Sequence, residues 1–227
     1  YTNADGTFSH TLDRSMFVGK SIIGFTATAT YGLITSPLSD VVYPELGKVD
    51  LTRTEFYVKE NGDGDGSTWE KAMSGETFAA VLPLVKDGVT FYVAEGTYNP
   101  KCDSNGEPIS PGYALYSVNS SVKILGGYPR NASLGAKADP DNNITTFTSE
   151  TEDGSQRLFT QNYQDNGDAK TLTLEGLHFY NSAWAVSWKK GDINISNCTF
   201  DDSNLTFGDA NTISVKSCKI SNVTTPF

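Results

Sequence analysis

The amino-acid sequence predicts an all-β protein, and three observations support that prediction. The 227 residues include 21 Gly and 9 Pro, a content typical of a chain with many turns. Thr, Ser, Asn, Tyr and Phe are plentiful, whereas strong helix formers are sparse, which favours strands over helices. The C-terminal third also repeats itself, and this repeat decides which kind of β fold the sequence predicts.

The repeat is seen when three segments are aligned: TLTLEGLHFYNS (171–182), DINISNCTFDDS (192–203) and TISVKSCKISNV (212–223). Apolar residues coincide in four columns, which are Leu172/Ile193/Ile213, Leu174/Ile195/Val215, Leu177/Cys198/Cys218 and Phe179/Phe200/Ile220. The first column has spacings of 21 and 20 residues. Gly176, Asn197 and Ser217 break the alternation at one position of each repeat, and a sharp bend there selects residues that tolerate a positive φ.

A fixed period near 20 residues, with strands in every repeat, is typical of a solenoid. Helical solenoids need repeats of about 33 residues or more, so this repeat predicts a parallel β-helix with rungs stacked about 4.8 Å apart. Trp184–Trp188 and Leu205–Phe207 are predicted third strands. Weaker rungs are predicted at 90–98 and 121–129, with 114–118 and 157–161 as third strands, which makes about five rungs over 89–223.

A helix is predicted ahead of the rungs, where it would cap the solenoid. Phe78, Val81, Leu82 and Val85 follow the i, i+3, i+4, i+7 spacing of an apolar helix face within 75–86. Asp87 and Gly88 follow this segment and are predicted to end the helix. Strands are predicted on either side, at 55–59 and 90–94. The end rung of a solenoid must be covered, because it otherwise exposes core and unpaired backbone.

Residues 1–50 are predicted to form a separate small β segment, with strands at 8–12, 21–30 and 40–43. The sequence DGTFSHTL…VGKSIIGFTATATYGLITSPLSDVVYP resembles the C-terminal half of a bacterial Ig-like surface module. A full sandwich takes about 100 residues, so 50 residues imply a partial module. The alternative is an extension packed on the second domain. The predicted domains are therefore 1–50 and 51–227.

Three motifs in the second domain resemble right-handed parallel β-helix proteins of the pectin-lyase-like family from bacterial surfaces. They are YVKENGDGDGSTWEKAM (57–73), GVTFYVAEGTYNP (88–100) and VKILGGYPRNAS (122–133). The family includes polysaccharide lyases, hydrolases and many adhesin-like proteins. The resemblance therefore implies a right-handed coil and a secreted or cell-surface location, and it assigns no activity.

The charge balance excludes some functions. Lys and Arg total 17 and Asp and Glu total 27, a net charge of −10, whereas a nucleic-acid binder or a protein docked on anionic lipid needs a basic face. No stretch of 18 apolar residues that would insert into a membrane and no signal peptide is found. The chain begins at Tyr1 and ends in full repeat rhythm, so we expect the natural protein to continue on both sides.

The best grouping of aromatic and charged residues for glycan binding is Trp188, Lys189, Lys190, Asp201 and Asp202, and the alternative is a solvated turn with no binding role. No catalytic residue is predicted, because the regular rungs hold no Arg for a lyase and no GHG or RIK motif for a hydrolase. His178 is expected to be a surface residue stacked over Thr199 and Lys219. Short turns between the rungs favour an adhesin-like protein or a fibre subunit over an enzyme.

Two further features suggest less specific chemistry. NGDGDGSTWE (61–70) hints at a Ca²⁺ loop through Asp63 and Asp65, but an EF-hand would need Asp at position 61 and Glu at position 72. No other metal or cofactor is predicted. Cys198 and Cys218 are expected to be stacked inward thiols, with a disulfide as the alternative. Cys102 is expected to be unpaired.

Three functions are consistent with the sequence. The first is a non-catalytic extracellular adhesin-like protein that binds host or environmental glycans or surface proteins. The second is a polysaccharide lyase or glycoside hydrolase whose catalytic rungs lie outside 1–227. The third is a subunit of a surface fibre, in which a neighbouring chain completes the N-terminal β segment.

Overall fold

A computed structural model describes residues 30–31, 34–35, 49–100, 114–149, 156–161, 169–207 and 209–222. Its helical elements are α1 (Gly75–Val81) and a following 3₁₀ turn (Leu82–Leu84). The strands are β1 (Thr30–Tyr31), β2 (Ile34–Thr35), β3 (Glu55–Val58), β4 (Val89–Ala94), β5 (Gly96–Tyr98), β6 (Ala114–Val118), β7 (Val122–Tyr128), β8 (Thr145–Thr148), β9 (Arg157–Gln161), β10 (Lys170–Glu175), β11 (His178–Ser187), β12 (Lys190–Ser196), β13 (Thr199–Thr206), β14 (Asp209–Lys216) and β15 (Lys219–Ser221).

The chain divides into two compact units, Tyr1–Pro44 and Glu45–Phe227. In the first unit the structure describes the antiparallel pair β1 and β2. The strands predicted at 8–12 and 40–43, residues 21–29 of the strand predicted at 21–30, and with them the Ig-like interpretation, lie outside the described residues.

The second unit is built from stacked parallel strands. Sheet 1 has the order β14-β12-β10-β7-β4-β3, so successive turns of the chain add strands to one sheet. Sheet 2 has two arms: β15-β13-β11-β8-β5 forms the first, and β6, β9 and the second half of β11 form the other. The arrangement is compatible with a β-helix-like fold.

The predicted register of the repeats is confirmed. Leu172 pairs with Ile193, which pairs with Ile213, and Phe179 pairs with Phe200, which pairs with Ile220. The predicted bend residues also adopt the expected backbone, since φ is 65° at Gly176 and 53° at both Asn197 and Ser217. We call this bend between sheet 1 and the first arm of sheet 2 the first corner.

The core is a column of aromatic rings that follows the inward face of the first arm. Phe200 stacks on Phe179 at 4.8 Å between centroids, Phe179 lies 6.3 Å from Phe147, and Phe147 lies 5.2 Å from Tyr98. Each ring is at most 1% exposed. Stacked rungs place identical side-chain positions one above another, so this single column joins four successive turns of the chain.

The N-terminal end of this unit is covered by the loop 62–73 and by α1. The loop pairs with β3, the outermost strand of sheet 1: the N–H of Tyr57 donates to Gly66, and the N–H of Lys59 donates to Met73. Phe78 of α1 inserts its ring against Phe91 at 4.9 Å. The hydrogen bonds from the loop pair backbone groups of β3 that would otherwise be exposed at the edge of the sheet.

The helix is shorter than predicted. It begins where Ser74 caps it by accepting a hydrogen bond from the N–H of Thr77 at 3.0 Å, but it ends at Val81 instead of continuing to Lys86. Pro83 has no N–H to donate to the carbonyl of Ala79, so the chain tightens into a 3₁₀ turn. Leu82 and Val85 still reach the core, with 0% and 3% exposure.

Candidate ligand-binding groove

A polar groove of about 680 Å³ lies along the first corner. Its lining comes from three parts of the fold. The loop before β8 contributes Pro140, Asp141 and Ile144, the bends contribute Gly176, Leu177, Asn197, Cys198 and Ser217, and the strands of the first arm contribute Thr145, His178, Thr199 and Lys219.

The loop that forms one side of the groove is held on Gly127. The carbonyl of Gly127 accepts hydrogen bonds from the N–H of Asp139 at 2.7 Å and from the amide of Asn143 at 3.1 Å. Its N–H donates to the Thr145 hydroxyl at 2.9 Å. A side chain at this residue would meet the Pro140 nitrogen at 2.8 Å, and its φ of 82° is left-handed, so glycine is required here.

A column of side chains occupies one position of four successive strands, and three of its four members line the groove. Register pairs Thr146 with His178, His178 with Thr199, and Thr199 with Lys219. The predicted stacking of His178 over Thr199 and Lys219 is therefore confirmed. Three members of the column, His178, Thr199 and Lys219, line the groove, so one imidazole, one hydroxyl and one ammonium group follow one another at intervals of about 4.8 Å.

His178 is half-buried, and Thr146 Oγ1 lies 3.2 Å from its Nδ1, within hydrogen-bond distance. Burial lowers the pKa of His178, and the negative charge of Asp201 opposes that effect. The imidazole is therefore neutral at pH 7, with one nitrogen that accepts and one that donates a hydrogen bond. Exposed Asp141 and Lys219 add one charge of each sign to the lining.

The residues predicted for glycan binding lie at more than one bend of the chain, and glycan binding by the four charged residues stays a prediction. Trp188 is 0% exposed, so its ring belongs to the core and offers no face to a sugar. Lys189 and Lys190 are exposed at the bend between β11 and β12, where both backbone N–H groups donate to Gln161 Oε1 at 2.9 and 2.7 Å. The choice of Trp188 is therefore wrong, because the alternation of β11 breaks before that residue.

Asp201 and Asp202 lie at a different bend, inside β13. Asp201 Oδ1 accepts hydrogen bonds from the Ser221 hydroxyl at 2.9 Å and from the Asn222 amide at 2.8 Å. Asp202 has a φ of 51°, and Asn181 and Asn222 have φ values of 48° and 54° at the equivalent positions. Asp202 is thus one of three residues that turn the chain, and a polar Asn/Asp residue every 20 or 21 positions was a signal for this second corner.

The Gly/Asp loop has a structural explanation. A Cβ on Gly62 would lie 2.4 Å from the Ala72 oxygen and one on Gly64 would lie 2.2 Å from the Lys71 oxygen, so these glycines permit two backbones to approach. Asp65 Oδ1 accepts a hydrogen bond from the N–H of Ser67 at 2.9 Å. Among the described residues, no three His, Cys, Asp or Glu side chains form a group that could hold a metal ion. Calcium binding through Asp63 and Asp65 stays a prediction.

The structure defines a class of protein, a predominantly β chain of parallel strands that is compatible with a β-helix-like fold and has a polar groove at one corner. No protein-family model, curated protein or solved structure matches the chain. In the part of the chain that the structure describes, no helix reaches the length and apolarity required to cross a bilayer.

Proposed function

We propose that this chain is an extracellular or cell-surface adhesin-like β-helix protein that binds glycans in the groove and does not cleave them. The observation that supports this most is the column Thr146, His178, Thr199 and Lys219, which repeats hydrogen-bonding groups along one direction. A chain of sugars also repeats its hydroxyl groups along one direction. Donors and acceptors of this kind suit neutral hydroxyls, and the groove is large enough to hold them.

The proposal includes a finer fold assignment. The coil is right-handed and belongs to the pectin-lyase-like architecture, preceded by part of an Ig-like module. The parallel strands support the handedness, because connections between parallel strands of one sheet are right-handed in about 98% of cases. The three sequence motifs at 57–73, 88–100 and 122–133 support the family.

A glycan array with the purified 227-residue chain tests the function, followed by calorimetry on each sugar that binds. Lys219→Ala should weaken binding by about tenfold or more, since a hydrogen bond to a charged group contributes about 1.5–3 kcal/mol. Lys189→Ala is the matched control, an exposed lysine at another bend, and should leave affinity unchanged. Loss of binding in the control alone would place the glycan at that bend and contradict the groove.

Polysaccharide cleavage is the second candidate, and the neutral imidazole of His178 favours it, because a neutral imidazole in a groove can accept a proton. Incubation with polyuronates and measurement of absorbance from unsaturated products separates the two functions. Product formation that disappears in His178→Gln would overturn the non-catalytic proposal.

A further inference from the structure

Cys198 and Cys218 occupy the same position in two neighbouring rungs. Each follows a left-handed residue, Asn197 in one rung and Ser217 in the next, both with φ of 53°. The strands on either side pair in register, so Cys198 lies opposite Cys218, and the N–H of Lys219 donates to the Cys198 carbonyl at 2.9 Å. One strand spacing, about 4.8 Å, lies within the Cα–Cα range of disulfides.

The two side chains share an orientation but differ in environment. Cys198 Sγ lies 3.2 Å from the Ser196 carbonyl oxygen, and Cys218 Sγ lies 3.3 Å from the Lys216 carbonyl oxygen. Both are free thiols, Cys198 fully buried and Cys218 partly exposed. A hydrogen bond from Cys198 lowers the pKa of Cys218, whereas burial raises the pKa of Cys198. Cys218 is therefore the more accessible and more acidic thiol of the pair, and Cys198 is the buried one.

We propose that Cys218 and Cys198 are an oxidant-sensitive dithiol, in which Cys218 reacts with a small-molecule disulfide and Cys198 then closes a disulfide between the two rungs. Cys218 loses its proton, and its thiolate attacks one sulfur of the small disulfide, forms a mixed disulfide and releases one thiolate. Cys198 loses its proton and attacks Cys218 Sγ, which releases the second thiolate. The two protons from the cysteines pass to the two released thiolates, so two protein thiols are oxidised and one disulfide is reduced to two thiols.

The surroundings allow the two sulfur atoms to approach. β15 pairs with β13 on one side, and all three of its residues are exposed, so a small shift of this strand disturbs little packing. The disulfide would fasten β14 and β15 to the preceding rung. Cys198 also lines the groove, beside Ser217 and Lys219, but the proposed chemistry does not depend on glycan binding.

Peptide mapping after treatment with oxidised glutathione tests the proposal. In the chain with Cys102→Ser, trypsin cleaves after Lys190, Lys216 and Lys219, so the disulfide would join peptides 191–216 and 217–219. We expect this linked pair and the loss of both thiols from titration in denaturant. If Cys102→Ser fails to fold, the same map of the unsubstituted chain gives the result.

Two variants separate the steps. Cys198→Ser should stop at a glutathione mixed disulfide on Cys218, whereas Cys218→Ser should leave Cys198 at least tenfold slower to react. Hydrogen exchange over 209–222 should slow when the disulfide forms. The proposal is overturned if both thiols remain titratable in excess oxidised glutathione, if Cys198 reacts faster than Cys218, or if Cys102 forms the disulfide instead.

Discussion

Replacing Phe179 and its neighbour Tyr180 by alanine, one at a time, tests the inward and outward alternation on which the fold depends. The two residues are adjacent on β11 and both aromatic, but Phe179 is 0% exposed and Tyr180 is 47% exposed. Phe179 stacks on Phe200 with an angle of 6° between ring planes, and its ring also lies 6.1 Å from Phe159. Tyr180 points outward, with its ring 6.3 Å from His178.

The expected loss for Phe179→Ala follows from the buried area. A buried Phe removes roughly 150 Å² or more from water, which at about 25 cal/mol per Å² is roughly 4 kcal/mol, within the ~3–5 kcal/mol range for such core substitutions. Tyr180→Ala should cost about 1 kcal/mol or less, since substitutions at exposed positions have small effects. The pair predicts a difference of about 3 kcal/mol between adjacent residues.

Urea unfolding followed by tryptophan fluorescence measures this difference. With an m-value of about 2 kcal/mol/M, Phe179→Ala should lower the midpoint by about 2 M. Phe179→Leu retains an apolar side chain, as Ile220 does two rungs further on, and should lose less free energy of unfolding. This variant replaces Phe179→Ala in the experiment if the alanine variant does not fold. Equal losses at the two positions, or a loss below about 1 kcal/mol at Phe179, would refute the inward column.

Two more predictions concern the cap and the groove. Gly64→Ala should lower the melting temperature by several degrees, because its Cβ would lie 2.2 Å from the Lys71 oxygen. The double variant Asp63→Asn, Asp65→Asn should leave the melting temperature unchanged. If added calcium raises the melting temperature of the unsubstituted chain and not that of the double variant, the loop binds calcium. His178 has a lowered pKa in the folded state, so the unfolded chain binds the proton first and stability should fall as pH drops below about 6.5. Thermal unfolding between pH 7.5 and 5 should show a melting temperature that depends less on pH in His178→Gln than in the unsubstituted chain. Identical pH dependence in the two chains would contradict the effect of burial on His178.

The rungs could be predicted because they depend on periodicity. Side chains at equivalent positions stack, so Leu172, Ile193 and Ile213 had to share a column once the period was known, and the register agrees. The helix was predicted in the right place but too long, since the apolar spacing continues through Leu82 and Val85 while Pro83 ends the α-helical hydrogen bonds. Apolar spacing reports which side chains are buried and does not report the backbone that carries them.

The error at Trp188 has the same origin. In the sequence, a tryptophan beside two lysines resembles a sugar-binding surface. The alternation that would place Trp188 outside ends within β11, because Ala185, Val186 and Ser187 at the end of the strand and Trp188 directly after it are all buried. Four consecutive buried residues show that the inward and outward alternation has ended there. Exposure at such a bend depends on three-dimensional curvature, which no local pattern reports.

The groove lies where the sequence departs from its own repeat. Two residues separate β10 from β11, and two separate β12 from β13, whereas residues 129–144 separate β7 from β8 at the same corner. The inserted loop forms one side of the groove, and Gly127 holds it there. Equivalent positions repeat along each face of a regular coil, so the inserted loop is what distinguishes this corner from the repeats beside it. In this chain, the residues that interrupt the period therefore locate the candidate site better than the type of any single residue does.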